Sequence, residues 1–445
     1  MSIYSWMDEY PLVAEKVAFS LKLGGGKAAI RIEWLPAIQR SAGDKMLNVD
    51  MAQNVDGASK MKAAKQRRDL VGACLAHTLH DGYTDQLYAL LPIWQTEFGL
   101  SYAGLAIIRV LYYGTMGCLQ VPGDKVLGRV TARWALALAT FVAALGYLVM
   151  ALPGGLFVLS AGLIVAGVGS STQHPRASLL VTNAYGKESR GPLGVYNFSG
   201  DLGKAVLPAL VALLLPFLAW RAVITLTALL GFLVAGVLLV LIPRQRTLPT
   251  LLDERHIGNT ASGKGFGLLL AIGALDTAPR MGYLLFLPFL IHAKGGTQAM
   301  VGVGLALLFI GGALGKAVCG WLGQRLGVVS SVVMTEAATA LLMIATLFFP
   351  LAVTLALLPL LGVVLNGTSS ILYGTVPDLA PKGDTGRAFA LFYTGVIVMG
   401  GFAPIAYGMI ADHTSRAVGI SASALTATII IPLVLALRPA LIRPT

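Results

Sequence analysis

Three ionisable residues lie one helical turn apart within an apolar stretch. His77, Asp81 and Asp85 are spaced i, i+4 and i+8, so a helix would carry them on one face. A histidine titrates near neutral pH and can exchange protons with a nearby carboxylate, so this face can accept and release protons. The alternative is a structural hydrogen-bond network to neighbouring helices. His80 lies off this face, and we interpret it as a structural residue.

Further charged residues interrupt other apolar stretches. A charge at the middle of a bilayer costs from about 2.5 to more than 10 kcal/mol, so such residues face a wet cavity or a partner. For Asp276 and Arg280, spaced i, i+4, the alternative is an ion pair that merely neutralises both. We predict proton coupling by His77, Asp81, Asp85 and His174, and substrate binding by Arg109, Arg176, Asn197, Asp201, Lys204, Asp276 and Arg280.

The balance of these charges favours one class of substrate. Arg109, Arg176, Lys204 and Arg280 are fixed cations, whereas some of the neighbouring acids would hold protons during coupling. Arginine binds carboxylates and phosphates through two parallel hydrogen bonds. The predicted substrate is therefore a small polar solute that is anionic or zwitterionic.

The elements that carry these residues are predicted to be membrane helices. The 445 residues are 56% hydrophobic and 12% charged, whereas soluble domains carry roughly 25% charged residues. From Leu70 onward, apolar runs of about 20 residues recur, which is the length that crosses a bilayer. The pattern predicts an all-α membrane protein with twelve transmembrane helices, near 70–93, 102–122, 133–152, 155–182, 191–215, 219–242, 266–291, 299–321, 328–350, 352–377, 387–411 and 417–438.

Lys and Arg concentrate in the loops on one side of these spans. Basic loops stay in the cytoplasm, so we predict a protein of the plasma (inner) membrane with both termini cytoplasmic. This distribution also accounts for the net charge of +12 without a nucleic-acid partner. Charges near cytoplasmic helix ends are interpreted as a gate between two halves, with snorkelling to lipid headgroups as the alternative. The gate comprises Asp124, Lys125, Arg129, Arg325, Asp378 and Arg387, with Lys316 and Glu336 in the same group.

A polar segment at 244–265 divides the spans into two sets of six. Three windows of the first set align with the second at offsets of 196 to 198 residues, for example Leu91-Pro92 with Leu287-Pro288. A stable offset is typical of an internal duplication. We predict a cytoplasmic tail at 1–66, either disordered or an over-extended start, six-helix lobes at 67–243 and 266–445, and a cytoplasmic linker at 244–265.

Short loop motifs connect this architecture to a known family. The segments VPGDKVLGR at 121–129 and GWLGQRLG at 320–327 follow the second and eighth spans, and VPDLAPKGDTGRAFAL at 376–391 ends the tenth. They resemble the loop signature of the major facilitator superfamily, which implies two six-helix lobes rocking around a central site. A further resemblance, to the fosmidomycin-resistance-type efflux branch, implies proton-linked export of small polar molecules and rests on His77, Asp81, Gly169, Ser170, Ser171, His174, Pro175, Gly200 and Gly203.

The chain departs from that branch at two cations. Arg176 stands where the branch has an acid, and Lys204 where it has a small residue. Uptake of a small organic anion is therefore the alternative to export, and a non-transporting receptor or scaffold is the alternative of another class. The sequence carries no GxxxxGK[ST] or HExxH motif, so we predict no enzyme, no cofactor and no metal. The expected partners are the small-molecule substrate, protons and the lipid bilayer, with the chain a monomer.

Overall fold

The chain is all-helical in the part that its computed structural model describes, which comprises residues 42–127, 129–244, 263–380 and 385–442. Side chains are described for the same residues except 42–59, 264, 385–387 and 442. The α-helices of these residues are α1 (Ala42–Phe98), α2 (Tyr102–Cys118), α3 (Gln120–Leu127), α4 (Ala132–Ala151), α5 (Gly155–Ser170), α6 (Gln173–Tyr185), α7 (Arg190–Leu214), α8 (Trp220–Leu241), α9 (Lys264–Ala293), α10 (Gln298–Leu326), α11 (Val328–Phe348), α12 (Leu351–Leu379), α13 (Thr385–His413) and α14 (Arg416–Ile442).

The chain divides into two compact units, Met1–Lys62 and Ala63–Thr445. Of the first unit, only the α-helical backbone from Ala42 onward is described. The predicted tail therefore lies outside the described residues up to residue 41 and is helical after that. The predicted linker lies outside them at 245–262. The features below belong to the second unit.

Most of these helices are long and apolar enough to cross a membrane. Among the described residues, nine helical segments meet this requirement, and the bent pair α2–α3 makes a tenth. The helices α1 and α7 are not among them, because charged residues such as Asp81, Lys204 and Asp201 lower their hydropathy. The all-α membrane class is thus confirmed, whereas the number twelve stays a prediction.

Two predicted spans are interrupted. The axes of α2 and α3 differ by 49°, so the predicted span at 102–122 is bent. The predicted span at 155–182 is divided between α5 and α6, which are separated by Ser171 and Thr172. Pro175 follows in the first turn of α6, where its missing N–H is tolerated and no bond to the carbonyl of Ser171 can form.

The first half of the second unit (63–244) packs on the second half (263–442) through α2 on α13 and α7 on α10. Small residues permit this approach: a Cβ on Gly302 would lie 2.7 Å from the Cβ of Ala212, and one on Gly408 would lie 2.6 Å from the backbone nitrogen of Ala103. The Asp412 carboxylate accepts hydrogen bonds from the backbone N–H groups of Tyr102 and Ala103 at 2.8 and 3.0 Å.

These contacts lie at the end of the helices that holds the loops 99–101 and 295–297, which we call the closed end. There Gln298 of the second half also donates a hydrogen bond to the Ala89 carbonyl of the first half, at 2.7 Å. The opposite end holds the loops around 125–133 and 187–190, which are rich in Lys and Arg, and we call it the basic end.

Candidate functional site

A cavity of about 530 Å³ lies between the two halves. Its wall comes from α1, α2, α6 and α7 on one side and from α9, α10, α12 and α13 on the other. Tyr373, near the end of α12, and Phe392, near the start of α13, belong to the wall, so the cavity extends toward the basic end. Its charged, imidazole and amide side chains are His77, Asp81, Asp85, His174, Asn197, Asp201, Lys204, Asp276, Arg280, Lys316 and Asn366.

Close packing of α7 on α1 positions the first wall. A Cβ on Gly203 would lie 1.9 Å from the carbonyl oxygen of Thr78, and one on Gly200 would lie 2.5 Å from the imidazole of His77. Only glycine lets the two helices approach this closely. The glycines that carried the family resemblance therefore bring the stripe of α1 and the stripe of α7 into one site.

Asp81 is the centre of this site. Its Oδ2 lies 3.3 Å from Nε2 of His77 and 3.2 Å from Nζ of Lys204, and its Oδ1 lies 3.4 Å from Nε2 of His174. The side chain is buried. Three nitrogen groups from three helices thus surround one carboxylate, and this arrangement brings the predicted residues of α1, α6 and α7 together.

The hydrogen bonds of His77 constrain its protonation. Its Nδ1 lies 2.8 Å from the carbonyl oxygen of Tyr196, and because a carbonyl only accepts, Nδ1 carries a proton. The Nε2 atom can then donate to Asp81 only when the imidazole holds a second proton. A hydrogen bond between Nε2 and Asp81 therefore needs one further proton, on the imidazole or on the carboxylate.

A second acid links the two halves. Both oxygens of Asp201, on α7, lie 2.7 Å from Nζ of Lys316 on α10, and Oδ1 lies 3.7 Å from Nζ of Lys204. Lys204 is thus shared between Asp81 and Asp201. The charges form a continuous chain from His77 to Lys316.

Lys316 and Glu336 are each nearer the basic end of their helix, as predicted, but they lie deeper than the gate interpretation supposed. Lys316 is ten residues from the end of α10, about 15 Å at the usual helical rise, and faces the cavity. Glu336 is eight residues from the start of α11, about 12 Å, and is buried. Their depth was not predicted, because helix depth was judged from loop charge. An intramembrane charge was the available signal for both residues.

Asp85 and Arg280 face the cavity without forming an ion pair with any described residue. Asp85 forms no ion pair or hydrogen bond with any described side chain, although it is buried on the wall. The guanidinium of Arg280 donates a hydrogen bond to Thr277 Oγ1 at 3.3 Å, and its Nε has no partner within the described part of the chain. The ion pair between Asp276 and Arg280, which was the alternative to a role in substrate binding, is not among the ion pairs that the described residues form.

Two predicted substrate-binding residues lie away from the cavity wall. Arg109 contacts Tyr88, with its guanidinium carbon 3.8 Å from the ring centroid and a hydrogen bond to the ring hydroxyl. Arg176 is fully buried, with Nε 2.6 Å from Oδ1 of Asp124 and a terminal nitrogen 2.7 Å from the carbonyl oxygen of Asp124. The arginine that distinguishes the chain from the resembled branch thus pairs with a predicted gate residue of its own half.

The other predicted gate residues lie apart from one another. Lys125, Arg129, Arg325 and Asp378 are exposed, and no ion pair within the described ranges joins them across the halves. The side chain of Arg387 lies outside the described residues. Their role as a gate stays a prediction.

His80 lies between two hydroxyls, with Nδ1 3.1 Å from Ser170 Oγ and Nε2 3.1 Å from Thr140 Oγ1. These contacts match the structural role predicted for it. His77, Asp81 and His174 have ligand atoms within 4.8 Å of one another, which is a spacing that a metal ion could use. The ammonium of Lys204 already contacts the same carboxylate, so a dication would have to displace it.

Comparisons with known proteins agree with the loop motifs. The sequence model of the Major Facilitator Superfamily matches residues 73–263. The fosmidomycin resistance protein of Escherichia coli (strain K12) is 24% identical over 374 residues, which cover 80% of this chain and 90% of that protein. The uncharacterized MFS-type transporter YfnC of Bacillus subtilis (strain 168) is 25% identical over 150 residues, 33% of this chain and 35% of that protein.

Solved structures show the same fold. A bacterial homolog to the human lysosomal transporter Spinster, in an inward-facing and occupied conformation, has a TM-score of 0.69 at 15% identity, covering 86% of this chain and 97% of its own. A POT family transporter in complex with 5-aminolevulinic acid has a TM-score of 0.71 at 13% identity, covering 84% and 97%. The predicted resemblance is therefore confirmed.

Proposed function

We propose that this chain is a multi-pass transporter of the Major Facilitator Superfamily, which moves a small anionic or zwitterionic solute across the membrane in exchange for protons. The substrate site is the cavity between the halves. In this proposal α1 and α7 also cross the membrane. Together with the ten apolar segments described above, they make twelve spans in two six-helix lobes.

The observation that carries the substrate class is the guanidinium of Arg280. It faces the cavity on α9 and has no carboxylate partner among the described residues. A guanidinium in such a site binds a carboxylate, phosphate or phosphonate through two hydrogen bonds. Asn197, on α7, lies on the opposite wall of the same cavity and supplies a neutral amide to the solute.

Proton coupling is supported by the network around Asp81. A proton that binds Asp81 cancels the charge that holds Lys204 at 3.2 Å, and Lys204 can then turn to Asp201 or to the solute. Asp85, one turn along α1 and without a partner in the described residues, is the proposed entry point for that proton. His77 and His174 hold Asp81 between them and exchange the proton with it.

Alternating access would occur by opening of the closed end and closing of the basic end. Contacts of Asp412 and Gln298 favour the present state, in which the cavity extends toward the basic end. In the other state we propose that the exposed charges Lys125, Arg129, Arg325 and Asp378, with Arg387, close the basic end. The surplus of Lys and Arg there supports a cytoplasmic orientation of that end, in the inner membrane.

Export is the proposed direction, supported by the resemblance to a protein named for fosmidomycin resistance. The test is accumulation by the purified protein in liposomes, with fosmidomycin and small anionic, zwitterionic and neutral metabolites as probes. Accumulation in acid-inside liposomes identifies antiport, and accumulation only in alkaline-inside liposomes identifies symport and would replace export by uptake. Equal rates with and without the proton gradient would reject proton coupling.

Arg280→Gln tests the substrate class in the same liposomes. Loss of a hydrogen-bonded charged partner is worth about 1.5–3 kcal/mol, so uptake of anions should fall by roughly 10- to 150-fold while neutral solutes are spared. Arg280→Lys keeps the charge and should lose less. Arg190→Gln, at an exposed arginine outside both the cavity wall and the proposed gate, is the matched control and should leave transport unchanged. Equal losses for anionic and neutral solutes would reject the role of Arg280.

A further inference from the structure

A buried arginine without a carboxylate partner lies between the cavity and the closed end. Arg109, on α2, is 6% exposed and forms no ion pair with any described residue. Its guanidinium stacks on Tyr88 and donates to the Tyr88 hydroxyl, but its Nε has no partner in the described part of the chain. Asp85, one turn before Tyr88 on α1, is not within ion-pair distance of it. A tyrosine can solvate a guanidinium but does not neutralise its charge.

Arg109 lines a small void where the two halves meet. The first half contributes Arg109 and Tyr113 of α2, and the second half contributes Leu285 of α9 and Gly401 of α13. The void measures about 10 Å³, which is room for one water molecule, so no solute fits there in the present state. Arg109 is six residues beyond Ala103 along α2, about 9 Å at the usual helical rise, so the void lies close behind the contacts of the closed end.

The ring of Tyr113 separates this void from the central cavity. Tyr113 belongs to the walls of both spaces. A Cβ on Gly400 would lie 3.3 Å from Cε1 of Tyr113 and 3.4 Å from its hydroxyl oxygen, so the ring reaches from α2 to α13 across the interface of the halves. A solute that leaves the cavity along this interface toward the closed end would therefore pass Tyr113 and then meet Arg109.

Opening of the closed end would separate α2 from α13 and widen the void between them. We propose that Arg109 is a second anion-binding site, which forms when the closed end opens and takes the same carboxylate, phosphate or phosphonate group that Arg280 takes in the cavity. A guanidinium binds such a group through two parallel hydrogen bonds. This inference rests on the proposed function, which supplies both the opening of the closed end and the anionic solute.

The two arginines would act one after the other. Arg280 faces the cavity in the present state, whereas Arg109 lies behind the ring of Tyr113. The anion therefore finds one cation on each side of that ring, and neither side requires it to lie in a medium of low polarity without a counter-ion. The resident partner of Arg109 suits such an exchange, because release of the Tyr88 hydroxyl leaves no unpaired carboxylate behind.

Labelling of an introduced cysteine tests this site without measuring transport. Val110→Cys, on the wall of the void, is placed in a cysteine-free protein with and without Asp412→Ala, which removes a contact that holds the closed end shut. The full chain in lipid nanodiscs reacts with a membrane-impermeant maleimide in sodium phosphate or in sodium chloride of equal ionic strength, which separates binding from screening. Arg109→Gln and Arg109→Lys are compared with Arg221→Gln, a matched control at an arginine of the closed end that pairs with Glu97.

Asp412→Ala should accelerate labelling, and phosphate should then slow it in proportion to occupancy, about threefold at twice its Kd. Arg221→Gln should keep this protection, Arg109→Lys should keep part of it, and Arg109→Gln should lose it.

Equal rates in phosphate and chloride, or protection that persists in Arg109→Gln, would overturn the proposal. Labelling that Asp412→Ala does not accelerate would also overturn it, because the void would then not open with the closed end. Ala106→Cys, on the same wall, replaces Val110→Cys if that variant misfolds. Protection here without proton-driven accumulation in the liposome screen would reject the proposed function and leave the anion site, and the reverse result would reject only the site.

Discussion

The two walls of the cavity hold their acids in opposite ways. In the first half, Asp81 is surrounded by His77, His174 and Lys204, all within 3.4 Å. In the second half, Asp276 is buried on the cavity wall and forms no ion pair with a described residue. The acid of the first wall is thus held by opposite charges, whereas the acid of the second wall has no opposite charge within ion-pair distance in the described part of the chain.

The difference indicates how the two walls would respond to the same event. Protonation of Asp81 sets free a cation that is already present, so the first wall becomes more positive. Protonation of Asp276 sets no paired cation free, so the second wall only loses a negative charge. The predictions below test whether the walls differ in this way, in order of decreasing effect.

The largest contrast should appear in stability. Asp81→Asn leaves Lys204 and His77 without this carboxylate, and breaking a buried pair costs about 3–5 kcal/mol in the free energy of unfolding. Asp276→Asn breaks no ion pair of the described residues, so its loss should stay within about 1 kcal/mol. Thermal unfolding of both variants in the same detergent at pH 7 measures this contrast. Equal losses would remove the distinction between the walls.

The two lysines of the first network should differ by a smaller amount. Lys204 contacts two acids and is 29% exposed, whereas Lys316 contacts one acid and is 41% exposed. We expect Lys204→Met to lower the free energy of unfolding by about 1–3 kcal/mol and Lys316→Met by less than about 1 kcal/mol. The same unfolding measurement applies. A larger loss for Lys316 would show that the contact between halves, rather than Asp81, dominates the network.

A smaller effect is expected at the closed end. Asp412→Ala removes the carboxylate that caps the start of α2, which is worth about 0.5–2 kcal/mol. The closed state should lose population, so a cysteine introduced by Phe289→Cys in a cysteine-free background should react faster with a membrane-impermeant maleimide. Glu188→Ala, at an exposed acid of the basic end outside the proposed gate, is the control. Unchanged reactivity would mean that other contacts hold this end shut.

The smallest change in stability should follow Asp85→Asn. Asp85 has no partner in the described residues, so its neutral counterpart should alter the free energy of unfolding by less than about 0.5 kcal/mol. The pH dependence of transport should nevertheless change, because the proposed entry point for the proton is lost. A transport profile between pH 5 and pH 8, compared with the wild type, is the measurement. An unchanged profile would assign proton entry to another group.

Length and apolarity predicted the helical class well, because a membrane imposes both on every segment. The interruption at Ser171 and Thr172 was not predicted, since Pro175 can bend a helix without dividing it. The first helix reaches Ala42, well before the predicted start at 70, because hydropathy does not mark the ends of a polar helix.

Spacing along one helix predicted part of the site. The i, i+4 separation of His77 and Asp81 gave a true contact, and the same separation of Asp276 and Arg280 did not. Contacts between helices were beyond the sequence: Arg176 with Asp124 and Lys316 with Asp201 join residues 52 and 115 positions apart. Packing of the helices, which a single sequence does not encode in any local pattern, decides these pairs.

The hydrogen bonds of Asp412 have a consequence for inheritance. This carboxylate contacts backbone N–H groups of residues 102 and 103, and every amino acid except proline presents the same group. Most missense changes at those two positions therefore leave this latch without any loss of its donors. Single substitutions that loosen this contact should therefore be found mainly at position 412 and rarely at positions 102 and 103.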